Sequence, residues 1–195
     1  RPIIMTRRIP GRILCLAFAS LLIHTTRADL AAQSSLDQAA GPLVIVGGGG
    51  TPQIVLSKIL ELAGGKSAKI VILPQASSRE NRGEAAEQMF RDQGARQVEI
   101  VEFDDRIAAR EKINSADLIW FPGGSQQRLF DALTAADLAE TIRRKHQSGA
   151  VVGGTSAGAA IMSQAMIPSS PKVQGLKRGN TPIVPGLGLC PKLII

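Results

Sequence analysis

The sequence predicts an α/β domain with a mostly parallel β-sheet that is covered by helices on both faces. Three observations lead to this prediction: short, continuously apolar strand patterns recur along the chain, amphipathic helix patterns separate them, and glycine-rich turns follow three of the strands. Strands that are buried on both faces are apolar throughout rather than alternating, and this is typical of parallel sheets. Regular alternation of strands with helices indicates βαβ units.

Five strand patterns and five helix patterns follow one another after a polar stretch at 31–41. The first strand has the sequence Leu-Val-Ile-Val, and the later strands are similarly apolar, whereas the segments between them have apolar residues at helical spacing. In chain order the elements are strand 43–46, helix 54–62, strand 68–73, helix 82–93, strand 98–102, helix 106–114, strand 117–121, helix 127–133, helix 136–147 and strand 150–153.

The three glycine-rich turns are expected to meet at one edge of the sheet. They are 47–50, 123–124 and 153–154, and each follows a predicted strand. Ligands of open parallel sheets bind beyond the carboxyl ends of the strands, so these turns predict a cleft there. The first turn does not predict a dinucleotide site, because the GxGxxG spacing would need a glycine at Gln53. It is expected to form a backbone wall of the cleft.

The positive charge of the chain is concentrated at its beginning. The formal net charge is +7, but five of the 23 basic residues lie within the first 27 residues, and the rest nearly balance the 16 acidic residues. Only 3% of the residues are aromatic. Nucleic-acid readers rely on basic surfaces and aromatic stacking platforms, so we expect no nucleic-acid partner.

The first 32 residues have the layout of a secretory signal. Arginines precede the apolar run 13–23, which is short for a membrane span, and polar and small residues follow it. We therefore expect a signal peptide and upstream residues at 1–32, a mature domain at 33–195, a secreted or periplasmic location, and no stable membrane association after cleavage. Cys15 falls in this leader and leaves Cys190 without a partner, so neither a disulfide framework nor a metal cluster is expected.

The segment 151–160 has the sequence of a nucleophile elbow. Apolar β-formers lead into Gly153-Gly154-Thr155-Ser156, and small residues suited to a helix follow. Such a corner exposes the hydroxyl of its serine, so Ser156 is the predicted nucleophile; the alternative is an ordinary tight turn that caps a helix. An acyl-transfer serine also needs N–H donors for the developing oxyanion, and Gly124 and Ala157 are the predicted donors.

Two separated motifs resemble the cyanophycinase and dipeptidase E type of serine peptidase. They are Phe-Pro-Gly-Gly-Ser-Gln at 121–126 and Gly-Thr-Ser-Ala-Gly-Ala at 154–159, and the resemblance extends over 41–195. It also includes the segments 73–77, 161–163, 176–180 and 185–189. The resemblance implies a flavodoxin-like three-layer sandwich related to class I glutamine amidotransferases, of which the C-terminal part would be missing from this chain.

The same resemblance implies hydrolysis of cyanophycin, multi-L-arginyl-poly-L-aspartate, to β-aspartyl-arginine dipeptides, without a cofactor or metal. Gln126 corresponds to the substrate-facing glutamine of the family, whereas Ser125 replaces the acidic residue expected before it. An aspartyl dipeptidase of the same superfamily and a non-catalytic secreted binding homologue are the alternatives. The expected partner is therefore cyanophycin or an aspartyl peptide, and a homodimer is left open.

The general base is the main departure from the family pattern. A serine hydroxyl needs a positioned imidazole, and the family takes it from an Asp-Gln-His-Phe stretch after the strand that 193–195 would match. His146 is predicted at a helix end that leads away from the elbow. We therefore expect this chain by itself to be inactive. The acid of the triad stays unassigned among Glu99, Glu102, Asp104 and Asp117.

Overall fold

The structure, a computed structural model, describes residues 40–168 and 182–195. The predicted leader, its boundary at residues 32 and 33, Cys15 and the 176–180 motif lie outside the described residues. No helix in the described part of the chain is long and apolar enough to cross a membrane.

The predicted alternation of strands and helices is confirmed. The described elements are β1 (Leu43–Val46), α1 (Gln53–Leu62), β2 (Lys69–Ile72), α2 (Glu84–Asp92), β3 (Gln97–Ile100), α3 (Arg106–Ser115), β4 (Leu118–Phe121), α4 (Gln126–Ala135), α5 (Ala139–Gln147), β5 (Val151–Thr155), α6 (Ala157–Ala160), β6 (Ala165–Met166) and β7 (Val184–Pro185).

Five parallel strands form the main sheet in the order β1-β5-β4-β2-β3. The chain moves outward from β2 to β3 and returns to the other side of β2 with β4. The carboxyl ends of β2 and β4 therefore flank the point where the strand order reverses, and ligands of open α/β sheets bind at such points. β6 and β7 pair antiparallel in a separate two-stranded sheet.

Helices cover both faces of this sheet, as predicted. Side chains of α1 and α2 form one buried cluster with alternate residues of the strands, and side chains of α3, α4, α5 and α6 form the other. In the first cluster the fully buried Phe90 of α2 packs edge-on against Trp120 of β4, with ring centroids 5.4 Å apart. Parallel strands need this two-sided cover because they are apolar on both faces.

Most element boundaries differ by one to three residues from those predicted, and two of the differences have a clear structural cause. The helix expected at 136–147 begins only at Ala139, because Asp137 takes a left-handed φ of 54° and separates α4 from α5. Aspartate tolerates this conformation better than most residues. The last strand continues to Thr155 rather than ending at Gly153, because β1 and β4 pair with it on both sides.

Gly158 allows α6 to lie against β4. A Cβ built on Gly158 would lie 2.0 Å from the Phe121 carbonyl oxygen. That oxygen belongs to the backbone of a central strand, so it cannot move aside as a flexible side chain would. The start of α6, and with it the turn before the helix, is therefore held close to the end of β4.

We expect Gly158→Ala to lower the free energy of unfolding by about 2 to 3 kcal/mol, because the added methyl group forces backbone apart in a packed region. Gly47→Ala is the matched control: a Cβ there has no atom within 4 Å. Urea unfolding monitored by circular dichroism measures both. Equal stability of the two variants would contradict the close approach.

Candidate active site

Ser156 occupies the sharp turn between β5 and α6. Its φ of 54° and ψ of −115° lie in a region that non-glycine residues rarely adopt, and its side chain is exposed. Hydrogen bonds hold the residue on both sides. Its N–H donates to the Val46 carbonyl at 3.0 Å, and its carbonyl accepts from the N–H groups of Ala159 and Ala160 at 2.9 and 3.0 Å. The backbone at Ser156 therefore forms the sharp strand-to-helix turn that the sequence predicts.

The Gly123-Gly124 turn after β4 lies beside this serine. A Cβ on Gly123 would be 3.5 Å from the Ser156 Cβ and 4.0 Å from its Oγ. Neither the Gly124 N–H nor the Ala157 N–H donates a hydrogen bond to another described residue. The structure thus brings Ser156, Gly124 and Ala157 to one corner, with two N–H donors available there. Their catalytic roles stay predictions.

The loop 74–77 after β2 fixes the conformation of the glycine turn. The Ala76 carbonyl accepts from the Ser125 N–H at 2.8 Å and from Arg128 Nη1 at 2.7 Å. Gly124 has a φ of 147°, and a Cβ on it would lie 2.2 Å from the same oxygen. Only glycine therefore fits at position 124. The sequence includes 73–77 in the family resemblance without a role for it, and it predicts Arg128 as an ordinary helix-start residue, with direct contact to substrate as the alternative.

Gln126 starts α4 and contacts the segment that follows α6. Its Nε2 donates to the Ile167 carbonyl at 2.7 Å, and the residue is half-buried. In the structure its amide therefore ties the 165–168 segment to the start of α4. The predicted contact with substrate is not tested by this geometry and stays a prediction.

The glycine run 47–50 lies next to the elbow, at the end of β1. Thr155 Oγ1 donates to the Gly47 carbonyl at 2.9 Å, and Gly49 and Gly50 have φ of 93° and 97°. All four glycines are exposed. This run therefore lines the same edge of the sheet as Ser156, as the sequence predicts.

His146 lies at the opposite edge of the sheet. The residue is buried, its Nε2 donates to the Gly41 carbonyl at 2.7 Å, and its own carbonyl accepts from the Gly41 N–H at 2.8 Å. Gly41 precedes β1, so this contact is at the amino ends of the strands. The full length of β5 separates the imidazole from Ser156, roughly 15 Å at about 3.3 Å per residue.

The four carboxylates considered for the triad lie away from the elbow or have other partners. Glu99 forms an ion pair with Lys112, and Asp117 accepts from the Lys69 N–H at 2.8 Å at the amino edge.

The other two carboxylates follow β3. Glu102 forms an ion pair with Arg82, whose pKa is raised above its usual value chiefly by the hydrogen bond to this carboxylate. Asp104 follows β3, three strands from β5. Among the described residues, no three His, Cys, Asp or Glu are grouped to hold a metal ion.

The chain is similar to one peptidase family and to several curated relatives and solved structures. The model of Peptidase family S51 matches residues 42–195. Among curated relatives, the cyanophycinase of Geminocystis herdmanii is 32% identical over 78% of this chain and 60% of its own length. The cyanophycinase of Synechococcus elongatus is 32% identical over 72% of this chain and 46% of its own length. That of Trichormus variabilis is 31% identical over 81% of this chain and 57% of its own length. The chain thus spans about half the length of these relatives.

Two solved structures share the fold. A peptidase from an acI-B1 Actinobacterium matches with a TM-score of 0.59 and 27% identity, over 78% of this chain and 66% of that one. A peptidase E candidate from Listeria monocytogenes matches with a TM-score of 0.60 and 22% identity, over 77% of this chain and 76% of that one. The predicted flavodoxin-like, class I glutamine amidotransferase-like sandwich is confirmed by these matches.

The strained backbone at Ser156 predicts that a glycine variant at this position is more stable than an alanine variant. Glycine adopts positive φ without steric cost, whereas a strained non-glycine residue costs on the order of 1 to 3 kcal/mol. Part of this gain is lost because glycine is more flexible in the unfolded chain. We therefore expect Ser156→Gly to unfold with a free energy about 1 kcal/mol higher than Ser156→Ala. Chemical denaturation of the pair measures the difference, and an alanine variant as stable as the glycine variant would show that the turn is relaxed.

Proposed function

Because the chain belongs to peptidase family S51, we propose that the whole protein is a serine-type peptidase that hydrolyses cyanophycin to β-aspartyl-arginine dipeptides. The observation that carries the proposal is the exposed, strained Ser156 beside two N–H groups that have no acceptor among the described residues. The similarity to several cyanophycinases supports the choice of substrate. We further propose that the protein is secreted or periplasmic, on the basis of the predicted leader at 1–32.

In this proposal Ser156 Oγ attacks the carbonyl carbon of the scissile amide. The carbonyl oxygen becomes negatively charged in the tetrahedral intermediate, and the N–H groups of Gly124 and Ala157 donate hydrogen bonds to it. Collapse of the intermediate expels the amine and leaves an acyl group on Ser156, which water then hydrolyses. Removal of a single oxyanion donor from a serine peptidase typically lowers kcat by about 100- to 1000-fold, so these two N–H groups would supply a large part of the rate.

The serine also needs a base to accept its proton. His146 is buried at the amino edge of the sheet, and no other described residue offers an imidazole. The proposal therefore requires a base from outside the described residues. A hydroxyl without a hydrogen-bonded base is a weak nucleophile, so the elbow alone supplies only part of the catalytic machinery.

The role of the proposed nucleophile can be tested by substitution in the whole protein. We expect Ser156→Ala to lower dipeptide release from cyanophycin by at least about 1000-fold, because the attacking atom is lost. Binding to polymer particles is expected to persist, since the turn and cleft wall remain. Ser148→Ala is the matched control: that serine is exposed and lies before β5, at the opposite edge. Release is measured by chromatography of the soluble product.

Two other outcomes would decide between the alternatives. Activity of the whole protein on aspartyl dipeptides but not on the polymer would favour the dipeptidase. Adhesion to the polymer without hydrolysis, unchanged by Ser156→Ala, would favour a binding homologue and would contradict the proposed peptidase.

The need for a base can be tested with the 195-residue chain by itself. We expect it to hydrolyse cyanophycin at least about 1000-fold more slowly than a family enzyme with an intact triad, because no described residue places an imidazole beside Ser156 and a triad without its base keeps only residual catalysis. Initial rates at matched concentrations measure this. Comparable turnover would contradict the argument, and a loss of that turnover in His146→Gln would then identify His146 as the base.

A further inference from the structure

Arg128, in the first turn of α4, reaches back to the loop after β2. Its Nη1 donates to the Ala76 carbonyl at 2.7 Å, across 52 positions of the chain. Arg128 is exposed, whereas Ala76 is 0% exposed. A buried carbonyl oxygen has no bulk water to bond, so it depends on donors from the protein. A surface side chain therefore supplies a hydrogen bond to a buried backbone atom.

The same oxygen restrains the glycine turn after β4. It accepts from the Ser125 N–H at 2.8 Å as well, and a carbonyl oxygen has two lone pairs, so it can accept from both donors. It also limits Gly124, which has a φ of 147° and on which a Cβ would lie 2.2 Å from this oxygen. The position of the Ala76 oxygen therefore orients the backbone on both sides of Gly124. The peptide group before Gly124 carries the N–H that the proposed function assigns to the oxyanion.

Both donors to this oxygen come from the start of one helix. Ser125 is the N-cap of α4, and its Oγ accepts from the Arg128 N–H at 3.3 Å. The helix is packed into the core by Leu129 and Leu133, which are both 0% exposed. Arg128 therefore connects the loop after β2 to a helix start that is held by the core.

Only one of the two hydrogen bonds depends on the type of side chain. The Ser125 donor is backbone, whereas the Arg128 donor is a guanidinium, and charge-assisted hydrogen bonds are roughly twice as strong as those between neutral groups. In the described ranges, 40–168 and 182–195, Arg128 forms no ion pair with a carboxylate. The Ala76 carbonyl is therefore the contact that holds its guanidinium.

Resting on the proposed function, we propose that Arg128 is a positioning residue for the oxyanion donor at Gly124. Its guanidinium holds the Ala76 carbonyl, and that carbonyl holds the backbone of the glycine turn beside Ser156. Arg128 acts through these groups and does not contact the substrate. An oxyanion donor must lie about 2.7 to 3.1 Å from the oxygen that becomes charged. A shift of the turn therefore weakens stabilisation of the transition state more than binding of the ground state.

The kinetic test uses the whole protein and compares two arginines that bond to backbone carbonyls. Arg128→Met removes the guanidinium and keeps a long, unbranched side chain. Displacing an oxyanion donor costs less than removing it, so we expect kcat on cyanophycin to fall about 5- to 20-fold and KM to change less than about 2-fold. Arg110→Met is the matched control, because Arg110 Nη2 donates to the Asp137 carbonyl at 2.9 Å, between α4 and α5. This variant is expected to keep the wild-type kcat.

Rates are normalised to the folded fraction of each variant, measured by circular dichroism, so that lost protein is not counted as lost catalysis. A fall in kcat/KM of Arg128→Met that comes entirely from a higher KM would indicate direct contact with substrate and would overturn the proposal. Wild-type values of both constants in Arg128→Met would also overturn it. So would an equal fall in kcat in Arg110→Met, because the loss of any arginine–carbonyl contact would then have the same effect.

A second test uses the 195-residue chain and does not require hydrolysis. In amide hydrogen exchange followed by NMR, we expect the Ser125 N–H of Arg128→Met to exchange at least about 5-fold faster than in the wild type, because its acceptor is held by one hydrogen bond fewer. The amide signal of Gly124 is expected to shift in the same variant. Arg110→Met is expected to change neither signal.

The outcome of this second test separates the proposal from the proposed function. Unaltered Ser125 and Gly124 amides in Arg128→Met would overturn the positioning role, even if the whole protein is a peptidase. The expected changes at both amides, in a protein whose wild type releases no dipeptide, would support the positioning of Gly124 by Arg128 and contradict the peptidase.

Discussion

The two-sided pairing of β5 is the constraint on which the site depends. This strand lies between β1 and β4 and pairs with both in parallel, continuously up to Thr155 with β1 and up to Gly154 with β4. The next residue, Ser156, still donates its N–H to the Val46 carbonyl. A residue with φ of 54° and ψ of −115° is held there by its surroundings, because relaxation to ordinary dihedral angles would lower its free energy. The sheet on one side and the first turn of α6 on the other provide that restraint.

A single carbonyl oxygen connects the loop after β2 to the glycine turn after β4. Ala76 O, after β2, accepts from the backbone of Ser125 and from the Arg128 side chain, and it leaves room only for glycine at position 124. The loops after β2 and β4 are thereby held together, and the Gly123-Gly124 turn in turn lies beside Ser156 after β5, although these residues are about 30 to 80 positions apart in the chain. They meet where the strand order reverses between β2 and β4, so topology and hydrogen bonding select the same corner of the sheet.

Sequence reasoning predicted the fold and the sharp turn at Ser156 because both depend on local patterns. Apolar strands, helical spacing and the Gly-Gly-Thr-Ser-Ala-Gly corner are contiguous signals, and they place Ser156 correctly at the turn. The contacts that fix the site are not contiguous. Gln126 bonds to Ile167 and Arg128 bonds to Ala76, 41 and 52 positions away, and composition carries no signal for either pairing. The break at Asp137 was missed for another reason: one left-handed residue inside a helical pattern does not alter the apolar spacing.

The polar groups of the domain are distributed unequally between the two ends of its strands. At the amino end, His146 bonds to Gly41 and Asp117 bonds to Lys69, so these titratable side chains complete the structure there. At the carboxyl end, the N–H groups of Gly124 and Ala157 and the amide oxygen of Gln75 have no partner among the described residues. Unpaired polar groups and a strained turn lower stability, and a fold retains them when a ligand completes them. The same edge that carries the Ser156 turn is therefore the edge on which polar groups lack partners among the described residues.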